Sequence, residues 1–298
     1  MRLLILTQKV DRDDPILGFF HRWIEEFAKR FDKITVICLQ EGEHNLPGVK
    51  VLSLGKEKSQ AKSYKLKALL NFYKFIWQER KNYDAVFVHM NQEYVLLGWK
   101  FWKLWGKKIF LWRNHAKGNF LTRLAIILSD KVFCTSPSSY TARFKKTILM
   151  PVGIDTDFFK PDPTVTKKPN SVLFLGRISP VKKVLEFVEW FNRLDEKFHA
   201  IIAGPTLPKD KDYEKLVRSR ASDSISFIGP VTQSEALKLY QSHEIYANFT
   251  PSGSMDKTIF EAAACGMKLE VRNPDIQNFR IEDHSLQLLM EKIKMEIS

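Results

Sequence analysis

Glu261 and the residues ahead of it form the part of the chain best suited to chemistry. Glu244 to Phe249 (E-I-Y-A-N-F) reads as a strand, Thr250-Pro251-Ser252-Gly253-Ser254-Met255 is loop chemistry, and Asp256 to Cys265 has helical spacing with Gly266 as its stop. A helix that follows such a loop presents free backbone N–H groups to an anionic or hydroxyl-rich ligand. Glu261 lies about one and a half turns inside that helix, where a carboxylate can accept paired hydroxyls from a ribose. The plainer reading is a polar strand-to-helix turn with a solvated glutamate.

A second such place is Gly176-Arg177-Ile178-Ser179-Pro180, between a strand over Ser171 to Leu175 and a helix expected over Val181 to Leu194. Pro180 suits a helix start, so Arg177 and Lys182 are expected at a helix N-terminus, two cations beside free N–H groups, which is pyrophosphate chemistry. As a plainer alternative they are surface residues of a turn. His115 stands just past a strand over Lys108 to Trp112, at the strand end where open α/β sheets hold ligands. Asp11-Arg12-Asp13 resembles a metal-binding pair of carboxylates, but it follows the first strand at once with no partner ligands and reads as solvated loop. The chain has no GxGxxG, phosphate-binding P-loop, zinc-ligand spacing or nucleophile elbow.

The elements that must position these residues alternate along the chain. Arg2 to Thr7, Lys33 to Leu39, Val49 to Leu54, Ala85 to His89, Lys108 to Trp112 and Lys131 to Thr135 read as strands, with helices over Phe19 to Phe31, Ala61 to Lys81, Glu93 to Trp105 and Phe120 to Leu128. Met150 to Lys168, rich in Pro, Asp and Thr, reads as a connection. A second series follows, with strands over Ser171 to Leu175, Phe198 to Ala203, Ile225 to Ile228 and Glu244 to Phe249. This is an α/β protein of two domains, residues 1–150 and 151–298, each with a parallel sheet. Leu66, Leu69, Leu70, Tyr73, Ile76 and Trp77 mark the expected core stripe of the second helix, with Lys62, Lys65, Lys67, Lys74, Phe72 and Phe75 outside it, a basic and aromatic face that suits a membrane interface.

The formal charge of +13 is one-sided: residues 1–150 hold 27 Lys+Arg against 13 Asp+Glu (net +14), and residues 151–298 hold 20 against 21 (net −1). A field of that kind suggests an anionic partner on the first half: acidic lipid, a phosphorylated acceptor or nucleic acid. No nucleic-acid recognition module is present, which disfavours the last. Cys38, Cys134 and Cys265 lack metal-ligand spacing and read as reduced core thiols of a cytoplasmic protein. The first apolar run is too short for a signal peptide, and no stretch approaches a membrane span, so association with the inner face of a membrane would be peripheral.

Taken together these residues resemble a family 4 glycosyltransferase of the GT-B fold, two Rossmann-like domains facing across a cleft. The resemblance rests on Gly18 in the first strand-to-helix loop, Asn114-His115, Val152-Gly153-Ile154-Asp155 with Phe158, Phe159 and Pro161, Gly176-Arg177 to Lys182, Ile202-Ala203-Gly204-Pro205, Phe227-Ile228-Gly229-Pro230-Val231, and Pro251-Ser252 to Gly266, in that order. It implies retaining transfer of a sugar from a nucleotide sugar, UDP favoured over GDP, to a lipid-linked or cell-envelope glycan, with no cofactor or metal required. Arg177 and Lys182 match the diphosphate ligands, Glu261 the ribose ligand, Val231 the backbone contact to the base, Gly18 the loop near the phosphate and His115 the histidine near the transferred sugar. Gly253, Ser254, Met255 and Lys257 fall in the donor-binding stretch.

The family's glutamate eight residues before Glu261 is replaced by Gly253, and Asp256 is expected to take over its sugar contacts as a catalytic residue, with Lys257. After Gly266 only a strand over Met267 to Val271 and a helix over Ser285 to Ile297 remain, so the helix that crosses back to the first domain is expected to be short or missing. A non-catalytic nucleotide-sugar binding partner of another glycosyltransferase is the alternative from a different class, and a nucleotide-sugar epimerase is a further one that the Gly176 to Lys182 and Glu261 pieces disfavour.

Overall fold

The computed structural model describes residues 1–58, 64–253, 255–276 and 278–298. They form two compact units, Met1–Pro151 with Gln287–Ser298, and Val152–Leu286. The first opens on β1 (Arg2–Val10), in which Leu3, Leu4, Ile5 and Leu6 are fully buried. An unbroken apolar run of this kind is what a strand covered on both faces requires. There follow α1 (Phe19–Arg30), β2 (Lys33–Glu41), β3 (Val49–Ser53), α2 (Tyr64–Gln78), β4 (Ala85–His89), α3 (Glu93–Leu104), β5 (Lys108–Trp112), α4 (Phe120–Leu128), β6 (Lys131–Cys134) and β7 (Thr147–Leu149). The sheet is parallel in the order β3-β2-β1-β4-β5-β6-β7. The edge strand β7, only three residues long, carries too little pattern to be anticipated from sequence.

Two expectations for the first unit need correction. The helix α2 buries Ala68, Phe72 and Ile76, while Leu66, Leu70 and Trp77 of the expected core stripe are exposed, Leu66 at 66%. Both faces of this helix are apolar, so periodicity alone does not choose the inward one. Lys62 and the expected start at Ala61 lie outside the described residues. Asp11 is not a solvated loop residue: its carboxylate is largely buried and paired to Lys9 Nζ at 2.8 Å, while Asp14 meets the same ammonium at 2.6 Å.

The second unit contains β8 (Lys168–Leu175), α5 (Val184–Phe191), β9 (His199–Ala203), α6 (Lys211–Arg220), β10 (Ile225–Gly229), α7 (Gln233–Ser242), β11 (His243–Asn248), α8 (Lys257–Ala264) and β12 (Lys268–Val271), with the parallel order β10-β9-β8-β11-β12. The expected helix at Val181 does not begin there. A short 3₁₀ turn, Pro180–Lys182, comes first, and Lys183 in left-handed backbone (φ +56°) separates it from α5. Arg177 and Lys182 therefore stand on a loop and a 3₁₀ turn, not on the first turn of an α-helix.

The last helix, α9 (Leu286–Ile297), corrects the expectation of a short or missing crossing element. Gln287–Ser298 groups with the first unit, so the second unit ends at Leu286 and not at residue 298. Leu289, Met290, Ile293 and Ile297 are buried. Lys131 Nζ donates to Glu296 O at 2.8 Å and pairs with Glu296 Oε2 at 2.9 Å, and Lys292 Nζ donates to Leu149 O at 2.9 Å. Cys38, Cys134 and Cys265 are free and buried. Among the described residues no helix is long and apolar enough to cross a membrane.

Candidate functional site

In the second unit the chain leaves β8 toward β9 on one side, while β11 lies on the other. The carboxyl ends of β8 and β11 flank the point where the strand order reverses, which is where open α/β sheets hold ligands. The loop after β8 supplies Gly176, Arg177, Ser179 and Lys182; the loop after β11 supplies Thr250 and Asp256, with Asn248 at the strand's end. Gly204 fixes the floor of this region. Its φ is +142°, and a Cβ there would stand 2.0 Å from Gly176 O, so only glycine lets the turn after β9 press against the backbone from which Arg177 departs.

Lys182 and Asp256 meet across this point in an ion pair between Lys182 Nζ and Asp256 Oδ2. The same oxygen accepts from Asn248 Nδ2 at 3.1 Å and from Thr250 Oγ1 at 3.3 Å. Burial works to raise Asp256, but the charge and hydrogen bond of Lys182, helped by Asn248 and Thr250, outweigh it and hold the carboxyl below its ordinary value. Asn248, buried at the end of β11, is itself held by its own loop: Thr250 N donates to its Oδ1 at 3.0 Å. Arg177 forms no hydrogen bond or ion pair among the described residues. The neighbouring Ser179 Oγ is buried without a partner among them, a state that costs about 1–3 kcal/mol until something bonds to it.

Glu261 is not a solvated glutamate; it is 4% exposed, on the inner face of α8. Tyr240 Oη, from α7, donates to its Oε2 at 2.9 Å. Burial pushes Glu261 up to about 7; Tyr240 and Lys257 pull it down, and Asp256 adds to the rise. One turn earlier, Lys257 Nζ donates to Val152 O at 2.6 Å and to Gly153 O at 3.1 Å. Burial pulls Lys257 well below its ordinary value, against the pull of Glu261. Lys257 thus ties α8 to the start of the unit. Gln233, at the first turn of α7, has its Oε1 buried without a partner among the described residues.

The other expected residues are dispersed. Val231 follows β10 and, like Met255, packs against the apolar cluster that includes Tyr240, Tyr246 and Ile259. Gly253 has φ +94° and its N–H donates to Asp275 Oδ2 at 2.7 Å, beside Ser252 Oγ at 2.9 Å from both Asp275 oxygens. A backbone in that region strains any side chain, which explains glycine there locally. Ser254 lies outside the described residues. In the first unit Gly18 is buried ahead of α1, and a Cβ would stand 2.6 Å from Asp14 O and 2.8 Å from Arg12 O, so its own loop demands glycine. His115 is exposed, with Nδ1 held by the backbone of Lys117 at 3.2 Å.

Sequence reasoning singled out Arg177, Lys182, Asp256 and Glu261 but missed Asn248, Thr250, Tyr240 and Ser179. Asn248 and Thr250 did carry a signal, as polar residues at the carboxyl end of a strand. Tyr240 carried none, because its partner is 21 residues away on another helix.

Residues 169–269 match the family model described as glycosyl transferases group 1. The matched residues lie within the second unit. No curated protein sequence matches the chain. Among solved structures, HepE of Anabaena in complex with UDP shares the fold at TM-score 0.70 and 18% identity, covering 100% of this chain and 90% of that one. A glycosyltransferase from Rickettsia africae gives TM-score 0.72 at 15% identity, covering 99% of this chain and 98% of that one. The sucrose-phosphate synthase of Thermosynechococcus elongatus gives 0.68 at 14%, covering 100% and 90%. The two parallel-sheet units are those of the GT-B fold.

Proposed function

We propose that this protein is a retaining glycosyltransferase that moves a sugar from a UDP-sugar to a lipid-linked or cell-envelope glycan. The carrying observation is the convergence after β8 and β11: Lys182 and Arg177 follow β8, Arg177 with no hydrogen bond or ion pair among the described residues, and a buried Glu261 stands in α8 after β11. Two fixed cations serve a diphosphate leaving group, stabilising charge as the glycosidic C–O bond breaks. Glu261 accepts the ribose hydroxyls, Val231 contacts the base through its backbone, and no metal is needed. UDP is favoured over GDP in keeping with HepE, which is solved with UDP and with UDP-glucose.

The retaining reading assigns the proton transfer to the donor itself. In this scheme Asp256, which meets Lys182, Asn248 and Thr250, and Glu261, which meets Tyr240, serve the donor, and neither is assigned as base for the acceptor hydroxyl. The base in this scheme is the departing phosphate oxygen. It takes the acceptor proton as the acceptor oxygen bonds to the anomeric carbon on the face that the diphosphate leaves. His115, in the first unit, is assigned to the transferred sugar by the resemblance alone.

The acceptor class rests on the first unit. Leu66, Leu70 and Trp77 of α2 and Leu97, Phe101 and Leu104 of α3 are exposed, Leu104 at 80%. Between these helices lies a groove of about 390 Å³ lined by Tyr73, Lys74, Ile76, Trp77, Phe101 and Trp105. The sequence carries no acid between Glu93 and Asp130. Apolar side chains in a basic field suit a peripheral seat on anionic lipid, near which each cation contributes on the order of 1 kcal/mol.

The test is UDP release from UDP-glucose, UDP-galactose and UDP-N-acetylglucosamine with cell-envelope lipid extracts, together with the anomeric configuration of the product. Acceptor-dependent release giving an α-linked product from the α-linked donor supports the reading. Release giving an inverted product refutes retention, and no release with any donor and extract refutes transfer.

A further inference from the structure

Lys182 is paired within its own unit. Its ammonium pairs with Asp256 Oδ2, and the same oxygen takes hydrogen bonds from Asn248 Nδ2 (3.1 Å) and Thr250 Oγ1 (3.3 Å). The two charged side chains are only 15% and 13% exposed. One anionic oxygen thus gathers three donors from the two loops that flank the strand-order reversal, as a phosphate oxygen would. Asp256 is also the N-cap residue of α8, yet its side chain makes no capping bond. That carboxylate serves the cluster and not its own helix, and its release would leave no cap broken.

We infer that Asp256 is a built-in stand-in for the donor's diphosphate: it holds Lys182, Asn248 and Thr250 while the site is empty, yields them when a nucleoside diphosphate arrives, and then accepts from the hydroxyls of the transferred sugar. The inference rests on the reading of Arg177 and Lys182 as the diphosphate site. A buried cation with no counter-charge is costly, so an empty site needs a resident anion. A diphosphate carries more negative charge than one carboxylate and also engages Arg177, which forms no hydrogen bond or ion pair among the described residues, so it displaces the resident. Two anions cannot share Lys182 at hydrogen-bond distance without strong repulsion in a site this sheltered. The displaced carboxylate remains beside the phosphate, and the group bonded to that phosphate is the sugar, whose hydroxyls are the donors within its reach.

Competition between a resident anion and an arriving one has a signature opposite to that of a residue that merely positions Lys182. In Asp256→Asn the shape is kept and the charge removed, so ligands bearing a diphosphate bind more tightly, on the order of tenfold, while sugar transfer slows. Uridine, which has no phosphate, binds unchanged.

The experiment is calorimetric titration of the full chain with UDP, inorganic pyrophosphate and uridine, in the wild type, Asp256→Asn, Asp256→Ala and Lys182→Ala, with thermal melting to confirm folding. Tighter UDP and pyrophosphate in both Asp256 variants with unchanged uridine supports the inference. Equal or weaker UDP binding in a folded Asp256→Asn overturns it and leaves Asp256 as a positioning residue; a uridine shift as large as that of UDP overturns it as a general structural change. The underlying reading fails separately: if Lys182→Ala leaves UDP affinity unchanged, Lys182 is not a diphosphate ligand.

Discussion

Glu261 offers a quantitative check that does not involve phosphate. Burial raises its carboxyl to about 7, against the hydrogen bond from Tyr240. A ribose needs it as an acceptor, that is, ionised. Where binding requires the ionised form, the apparent dissociation constant scales as one plus ten to the power of pKa minus pH. From pH 8 to pH 6 that factor rises about tenfold, or about 1.4 kcal/mol. The sign is fixed: affinity falls as pH falls through the raised value and is full above it. Uridine is the ligand to use, because a free phosphate titrates over the same range. Calorimetric titration at pH 6, 7 and 8 should show this loss in the wild type, and Glu261→Gln should bind weakly with no dependence on pH. Affinity independent of pH in the wild type, or the same slope in Glu261→Gln, would refute the assignment of Glu261 to the ribose.

Gly204→Ala places a Cβ 2.0 Å from Gly176 O at a φ of +142°, and should cost about 2 kcal/mol or more, read as a fall in Tm of about 4–8 °C. Arg177→Ala should weaken UDP about tenfold to a hundredfold by removing charge-assisted hydrogen bonds, and leave uridine untouched, in the same titrations. Leu66→Ser, Leu70→Ser and Trp77→Ser combined should abolish sedimentation with vesicles rich in phosphatidylglycerol while leaving Tm nearly unchanged, because all three side chains already face solvent. Raising the salt should weaken the wild-type interaction, and binding that is indifferent to lipid charge would count against a basic seat.

Most of the fold was legible because buried parallel strands write themselves as continuous apolar runs. Leu3 to Leu6 or Val172 to Phe174 admit few other readings, and the alternation of such runs with helical spacing specifies two parallel sheets. What failed lay where the local pattern is degenerate. The helix α2 is apolar on both faces, so its inward residues, Phe72 among them, are chosen by the sheet beneath and not by spacing. Pro180 announces a helix, but Lys183 in left-handed backbone separates the 3₁₀ turn from α5, a break that residue type does not announce. The return of α9 to the first unit was equally hidden, since nothing in its own sequence names the surface it covers.

The candidate site divides in the same way. Cations and carboxylates at strand ends can be read from residue type and position, which is how Arg177, Lys182, Asp256 and Glu261 were found. Their partnerships span long loops: Lys182 with Asp256 across 74 residues, and Tyr240 with Glu261 across 21. A sequence shows the donors and acceptors but not which of them satisfy one another in the empty protein. Asp256 illustrates the difference, since the resemblance marks it for a sugar in place of the family's glutamate, and the structure finds it paired with Lys182.

The most direct measurement is calorimetric titration of the wild-type chain, Arg177→Ala and Glu261→Ala with UDP and GDP. The account predicts that UDP binds the wild type more tightly than GDP, and that each variant loses most of this affinity while remaining folded. A folded wild type that binds neither nucleotide, or UDP binding that survives both substitutions, would contradict a donor site at the ends of β8 and β11.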